Sequence, residues 1–235
     1  MLKALKKIGL IGGTFDPVHN GHLHLAEQAQ YFFDLEKVIF IPAFRSPHKL
    51  AIQPESCKHR LAMLALALEN RPTFSMNKME IEKQAISFTI DTLKALKSQY
   101  SDWKLFLILG ADAFQAIDTW KKSSQLFDFC NILVGTRPGV DIKVSESVKN
   151  RLSLIEPLTI DPSPKFGTEP VIIENTKKGT QVVFFQISPI NISSKDIRRR
   201  IAQKEEIKNL LPPSVDNYII KNQLYRNDPL QKWPE

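Results

Sequence analysis

The chain is 235 residues long, with 43% apolar and 24% charged side chains, a balance that excludes wholesale disorder and suits one α/β domain, alone or with a substantial appendage. A formal net charge of +7 favours anionic partners, and nucleic acid, a membrane surface and phosphorylated small molecules fit it equally well. Cys57 and Cys130 are too few for a disulfide framework and lack metal-ligand spacing, so a reducing compartment is expected.

The opening MLKALKKIGLIGG is basic, but lysines interrupt its apolar stretch and glycines end it, so it does not read as a signal peptide. No run approaches the roughly 18 apolar residues of a membrane span, so no membrane partner is expected and the protein reads as cytoplasmic. KIGLIGG (7–13) predicts a buried strand, and about 21–33 a helix. KVIFIPA (37–43) predicts a second strand and ESCKHRLAMLALALEN (55–70) a strongly periodic helix. FSMNKMEIE (74–82) alternates like a strand, and 88–99 has a helical pattern. KLFLILG (104–110) and NILVGTR (131–137) are two further buried strands with helical stretches between them. Residues 138–180 hold Pro157, Pro162, Pro164 and Pro170 with little periodicity and predict an irregular excursion. QVVFFQI (181–187) then reads as a strand, and 193–202 and about 213–222 as terminal helices. The alternation predicts a doubly wound parallel sheet over 1–190, followed by a small C-terminal helical subdomain over 191–235.

The first strand runs into GGTFDPVHNGH (12–22). In open parallel sheets, ligands sit outside the carboxyl ends of the strands, and glycines there let a ligand approach the backbone. Gly12 and Gly13 occupy that position, Asn20 is a candidate cap for the next helix, and His19 and His22 can turn toward one phosphate at its N-terminus. Neither the P-loop nor the dinucleotide glycine pattern is present, and HNGH is not the zinc motif H-E-x-x-H. In NISSKDIRRRI (191–201), Ser193 and Asp196 have capping-box spacing, which would leave the arginines on a solvated face. The same string places Ser193, Ser194 and, four residues on, Arg198 where an anion can meet them.

Both stretches resemble signatures of the nucleotidyltransferase superfamily, GGTFDPxHxGH and ISSTxIR, and more narrowly those of the nicotinate-nucleotide adenylyltransferases. Lys195 stands where the second signature has Thr. IPAFRSPHKL (41–50) is similar to the family's P-x-x-x-P-P-H-K, ISFTIDTL (86–93) to its SYT-x-DTL, and LGADAFQAIDTW (109–120) to its G-x-D…W. Lys83-Gln84-Ala85 departs from the family's R-x-G. The resemblance implies a Rossmann-like nucleotidyltransferase that joins ATP and nicotinate mononucleotide to give deamido-NAD and pyrophosphate. It implies catalytic roles for His19, His22 and Arg198. It implies ATP contacts from Gly12, Gly13, Thr14, Phe15, Gly110, Asp112, Arg137, Ser193 and Ser194, with 191–235 completing the ATP site. Mononucleotide contacts fall to His48, Lys49, Thr89 and Trp120.

A phosphomonoester is already largely dianionic at neutral pH, so this chemistry needs no general base. Cationic and N–H donors that hold the phosphates suffice, and the histidines read as such donors. Mg²⁺ is expected to arrive on the ATP phosphates, with no metal ligands from the protein. No helix-turn-helix or RNP-like string supports a nucleic-acid partner, and the sequence leaves the oligomeric state open. Nicotinamide mononucleotide or phosphopantetheine as acceptor, and a non-catalytic nucleotide-binding protein, are the competing readings.

Overall fold

The computed structural model describes residues 5–49, 53–136, 171–175, 179–188 and 192–226. In chain order its elements are β1 (Lys6–Gly13), α1 (Asn20–Phe33), β2 (Lys37–Pro42), α2 (Cys57–Leu68), β3 (Phe74–Met76), α3 (Met79–Glu82), α4 (Thr89–Gln99), β4 (Trp103–Gly110), α5 (Ala111–Gln115), α6 (Ser123–Leu126), β5 (Asn131–Thr136), β6 (Val171–Asn175), β7 (Thr180–Gln186), α7 (Ser194–Ala202) and α8 (Pro213–Lys221). Single 3-10 turns cover Pro47–Lys49 and Ile117–Thr119. The described residues fall into two compact units, one from Met1–Ile11, Leu25–Ile39 and Phe88–Pro189, the other from Gly12–His24, Phe40–Ser87 and Ile190–Glu235.

The first unit is built on a sheet of order β2-β1-β4-β5-β7-β6. β1 with β4, β4 with β5 and β5 with β7 are parallel, and β6 runs antiparallel along the edge of β7. Strands with neighbours on both sides and covered faces read as continuous apolar runs, as Leu105–Leu109 and Ile132–Val134 do, all of them buried. β2 and β4 lie on opposite sides of β1, so the order of winding reverses there, as in a Rossmann-like fold. Gly9 lets this sheet close: a Cβ there would sit 2.8 Å from Ile108 and 2.9 Å from Leu35.

In the second unit the end of β2 has β3 as its neighbour, and Asn77 N–H donates to the Phe40 carbonyl at 2.9 Å. α2 buries Arg60, Met63, Leu64, Ala67 and Leu68, the spacing of one helical stripe, and Ser56 caps it by accepting the His59 N–H. α8 starts with proline at its first position, packs against α2 and buries Val215 and Ile219.

Two elements differ from the sequence expectation. The alternating pattern at 74–82 continues as strand only to Met76; Asn77 Oδ1 then accepts the Met79 N–H at 2.9 Å and turns the chain into α3. Within 138–180, expected to be irregular, Val171–Asn175 forms the edge strand β6, whose one-sided pairing gives a weak local signal. Arg137 lies outside the described residues, as does 138–170.

Candidate active site

β1 ends at Gly12 and Gly13. Gly12 is exposed, and a Cβ there would meet nothing within 4 Å, so the space over its backbone is open. Gly13 is tighter, since a Cβ would lie 3.1 Å from the Phe15 ring. Phe15 itself has φ 51, a left-handed conformation that costs a non-glycine residue about 1–2 kcal/mol. Burial of its ring offsets that cost: it is 1% exposed, 5.6 Å from Phe40 and edge-on to His22 at 5.0 Å. The Phe15 ring therefore belongs to the core and is not presented to a ligand.

His19 is buried immediately before α1. His22 Nδ1 accepts the His19 backbone N–H at 3.3 Å, and the two rings stack at 3.7 Å and 23°. A ring nitrogen that accepts a backbone N–H carries no proton, so the neutral His22 ring carries its proton on Nε2 and donates from there. Gly21 makes room for the pair, because a Cβ would fall 3.1 Å from His19 Nδ1. The expected Asn20 cap is replaced by this arrangement. Asn20 is already helical, with its N–H on the Leu210 carbonyl at 3.0 Å and its side-chain amide on the Asn209 carbonyl at 2.8 Å.

The second motif divides its polar groups by direction. Ser193 caps α7, its hydroxyl accepting the Asp196 N–H at 3.1 Å. The Asp196 carboxylate does not return the bond of a capping box. Arg199 at 2.8 Å and Arg200 at 2.7 Å hold it, and their hydrogen bonds keep its pKa below the usual carboxylate range. Those two arginines do form a solvated face. Ser194 and Arg198 turn the other way: the Ser194 hydroxyl donates to the Pro17 carbonyl at 2.9 Å, and Arg198 donates to the Asp16 carbonyl with its Nη1 3.6 Å from Asp16 Oδ2. The two motifs, 177 positions apart at Pro17 and Ser194, thus meet within one unit.

Four supporting residues escaped the sequence analysis. Asp16 is buried and accepts from the Tyr225 hydroxyl at 2.7 Å and from Glu55 N–H at 3.3 Å. Burial, and then the charge of Asp16, push the Tyr225 phenol well above its ordinary pKa, so Tyr225 stays a donor. Arg60 is fully buried on the apolar stripe of α2 and donates to the carbonyls of Thr14 (2.7 Å), Ala43 (2.9 Å) and Glu55 (3.0 Å), fixing the glycine turn to the ends of its neighbours. An arginine at a core position of an apolar helix was the available signal. Ser87 Oγ accepts the Phe44 N–H at 3.1 Å and its own N–H donates to Arg45 at 2.9 Å, so it anchors the loop that carries His48 and Lys49. His48 is exposed in the 3-10 turn there.

The remaining candidates lie in the first unit. Thr89 opens α4, whose N-cap is Phe88 with no side-chain cap bond. Lys121 Nζ sits 4.1 Å over the Phe88 ring and 3.2 Å from Asp91. Gly110 ends β4 and precedes α5, with open space where a Cβ would be; Asp112 is exposed in the first turn of α5. Trp120, which closes the 3-10 turn, is half-buried rather than part of the core. Among the described residues, no three His, Cys, Asp or Glu side chains are grouped to hold a metal, and no helix is long and apolar enough to cross a membrane.

The sequence profile of the cytidylyltransferase-like family matches residues 10–200. A protein of Thermoanaerobacter sp. strain X514 named "Probable nicotinate-nucleotide adenylyltransferase" is 38% identical over 223 residues, 94% of this chain and 95% of that relative. One of the same name from Clostridium perfringens strain SM101 is 37% identical over 95% of this chain and its own full length. The fold matches that of the Plasmodium falciparum nicotinic acid mononucleotide adenylyltransferase complexed with NaAD, with a TM-score of 0.66, 19% identity, and coverage of 94% of this chain and 97% of that one. The chain belongs to the cytidylyltransferase-like family, and within it to the group formed by the nicotinate-nucleotide adenylyltransferases.

Proposed function

We propose, on the premise of that membership, that the chain transfers the adenylyl group of ATP to nicotinate mononucleotide, giving deamido-NAD and pyrophosphate in NAD biosynthesis. The observation that carries this reading is the junction of the two motifs, in which Ser194 and Arg198 bond to Pro17 and Asp16 beside the stacked His19 and His22. A guanidinium, two imidazoles and an exposed glycine backbone in one unit form a donor set for a polyphosphate, braced by the Ser194 hydroxyl on the Pro17 carbonyl.

A phosphate oxygen of the mononucleotide attacks the α-phosphorus of ATP; the bond to the β-bridging oxygen breaks and pyrophosphate leaves. The attacking dianion needs no base, so the protein's work is to bring two anions together in line and to take up the charge that develops. His22, donating from Nε2, serves the transferring α-phosphate, with His19 beside it. Arg198 and Ser194, with the backbone of Gly12 to Phe15 and the capped start of α7 at Ser193, serve the rest of the triphosphate. Gly110 and Asp112 serve the adenosine, as does Arg137. His48 and Lys49 are assigned to the mononucleotide phosphate, and Thr89 and Trp120 to its ring. Mg²⁺ would arrive with the ATP substrate, not on protein ligands, and would supply positive charge to offset its phosphates.

Product analysis tests the reading directly. The protein is incubated with Mg·ATP and, separately, nicotinate mononucleotide, nicotinamide mononucleotide and phosphopantetheine. Deamido-NAD and pyrophosphate in equal amounts are expected from the first; pyrophosphate released only with phosphopantetheine, or with none of the three, overturns it.

A further inference from the structure

A cavity of about 460 Å³ opens within the second unit, between the C-terminal half of α2, the segment 207–212 and the first turn of α8. That is the size of a small-molecule site. His19, His22, Ser194 and Arg198 are not among the residues that line it. Its apolar wall is aliphatic, made by Leu66, Ile207 and Pro212, and among the described residues no aromatic ring faces it on which a base or pyridine could stack.

Two opposite charges share this cavity without meeting. Asp216 Oδ1 is shielded from water and has no hydrogen-bond partner, a costly state for a carboxylate oxygen. Lys208 lines the same space from an exposed position, and among the described residues no ion pair joins the two. The backbone beside Asp216 supplies a third group. Pro212 precedes α8 and offers no side-chain cap. The N–H groups of Val215 and Asp216 both turn back to the Pro212 carbonyl at 3.0 Å, which leaves the Ser214 N–H of that turn for a ligand. The other polar groups nearby are committed: the Ser214 hydroxyl donates to the Leu66 carbonyl at 3.3 Å, and Arg71 donates to the Ala67 carbonyl at 2.8 Å.

We propose that this cavity is a binding site for a free α-amino acid with an aliphatic side chain, separate from the site of adenylyl transfer. Such a ligand carries both signs of charge a few atoms apart. Its ammonium meets Asp216, its carboxylate meets Lys208 and the Ser214 N–H, and its side chain covers the aliphatic wall. A nucleotide would bring its phosphate toward Asp216 and find no ring to stack on, and a polyamine would meet Lys208 with like charge. Asn20, the first residue of α1, lines the same cavity, with its N–H on the Leu210 carbonyl at 3.0 Å and its amide on the Asn209 carbonyl at 2.8 Å. The bound amino acid therefore rests against the segment that holds the start of α1, and it stabilises the folded chain by mass action.

The test uses the full chain and L-leucine as the probe, followed by titration calorimetry and by the thermal midpoint. Two truncated analogues accompany it: 4-methylpentanoate, which lacks the ammonium, and 3-methylbutylamine, which lacks the carboxylate. Leucine is expected to bind with a Kd of about 1 mM or lower and to raise the midpoint, and each analogue to bind at least tenfold more weakly. Asp216→Asn keeps the shape and removes the charge, and Lys208→Ala removes the opposite one; each should weaken leucine at least tenfold. Saturating ATP should leave the leucine Kd within about twofold, because the two ligands occupy different places. No binding at about 10 mM leucine overturns the proposal, as do analogues that bind as well as leucine, a Kd that neither substitution moves, or displacement by ATP. If Asp216→Asn does not accumulate folded, Lys208→Ala, at an exposed position, carries the same test. None of these measurements needs turnover, so they decide the cavity whatever product analysis finds.

Discussion

His22 Nδ1 accepts the backbone N–H of His19 at 3.3 Å while the two rings stack at 3.7 Å, so one imidazole both caps a helix and holds its neighbour. That double role separates two substitutions. His22→Ala removes the Nε2 donor and the cap together. His22→Asn can keep the cap, because Oδ1 of asparagine takes the place of Nδ1 and accepts the same N–H. Both variants are expected to lose about 100-fold or more in turnover, the scale of one preorganised donor, while only His22→Ala also loses about 1 kcal/mol of stability. Saturating steady-state rates and urea midpoints check the pair; near wild-type turnover in His22→Asn removes Nε2 from the mechanism.

Arg198, Arg199 and Arg200 are adjacent in sequence and unlike in surroundings. Arg199 and Arg200 spend their charge on Asp196, whereas Arg198 faces Asp16. Arg198→Ala should therefore weaken ATP binding at least tenfold (about 1.4 kcal/mol) with little change for the mononucleotide, while Arg199→Ala should leave ATP affinity within about twofold, since exposed ion pairs contribute little. Titration calorimetry with each ligand distinguishes them, and equal effects at 198 and 199 return the whole string to a charged surface helix.

What was legible in the sequence was local. The strands that end at Gly13, Gly110 and Thr136 are runs of apolar residues closed by turn signals, and the two phosphate motifs are contiguous strings. Alternation misled at 74–82 because one side chain, Asn77, decided the backbone after Met76. Asn20 was the candidate cap of α1, but its side-chain amide is drawn to a distant carbonyl, that of Asn209, and the task falls to His22. Asp16, Arg60 and Tyr225 owe their roles to partners up to 209 positions away, and no local pattern encodes such a bond.

Arg60 is the side chain whose loss should be felt most in stability. Its guanidinium lies at 0% exposure and satisfies carbonyls from Thr14, Ala43 and Glu55, three segments that it ties together. Arg60→Met fits the volume but leaves those oxygens without donors, at about 1–3 kcal/mol for each that water cannot reach. A total loss of about 3–5 kcal/mol is expected. Arg60→Lys should recover only part, because one ammonium cannot span the planar fork. Urea unfolding measures both, and a loss below about 1 kcal/mol for Arg60→Met shows that the carbonyls are served otherwise.

Two protons give the fold an alkaline limit. Burial pushes the Cys130 thiol up to about 12, and burial with the charge of Asp16 pushes the Tyr225 phenol up as well. Both pKa values rise on folding, so their stabilisation is complete below the unfolded values, about 8.5 for Cys and 10 for Tyr, and is lost as pH climbs above them. Each group should add about 1.4 kcal/mol of destabilisation per pH unit in its window. Unfolding free energies measured between about pH 8 and 11 should fall less steeply in Cys130→Ala from about pH 9, and in Tyr225→Phe only from about pH 10. Slopes identical to wild type in both variants contradict the assignment.

The choice between the acid and its amide turns on the start of α4. α4 begins at Thr89 without a side-chain cap, and Lys121, next in sequence to Trp120, lies 4.1 Å over Phe88 and 3.2 Å from Asp91 at that same end. A helix start with N–H groups to satisfy, a nearby ammonium and a half-buried indole suit an aromatic acid better than its amide. A carboxylate only accepts, so it can take two such donors, whereas an amide turns its NH₂ toward one of them. That mismatch costs about 1–3 kcal/mol, or roughly 5- to 150-fold, for each donor it leaves unpaired. Nicotinate mononucleotide should accordingly exceed nicotinamide mononucleotide in kcat/KM by at least tenfold under the same Mg·ATP, about 1.4 kcal/mol. Trp120→Ala should raise the mononucleotide KM and leave the ATP KM within about twofold, because stacking serves the pyridine ring alone. Equal kcat/KM for acid and amide, or a preference for the amide, leaves adenylyl transfer standing and removes the acid-specific assignment of Thr89 and Trp120.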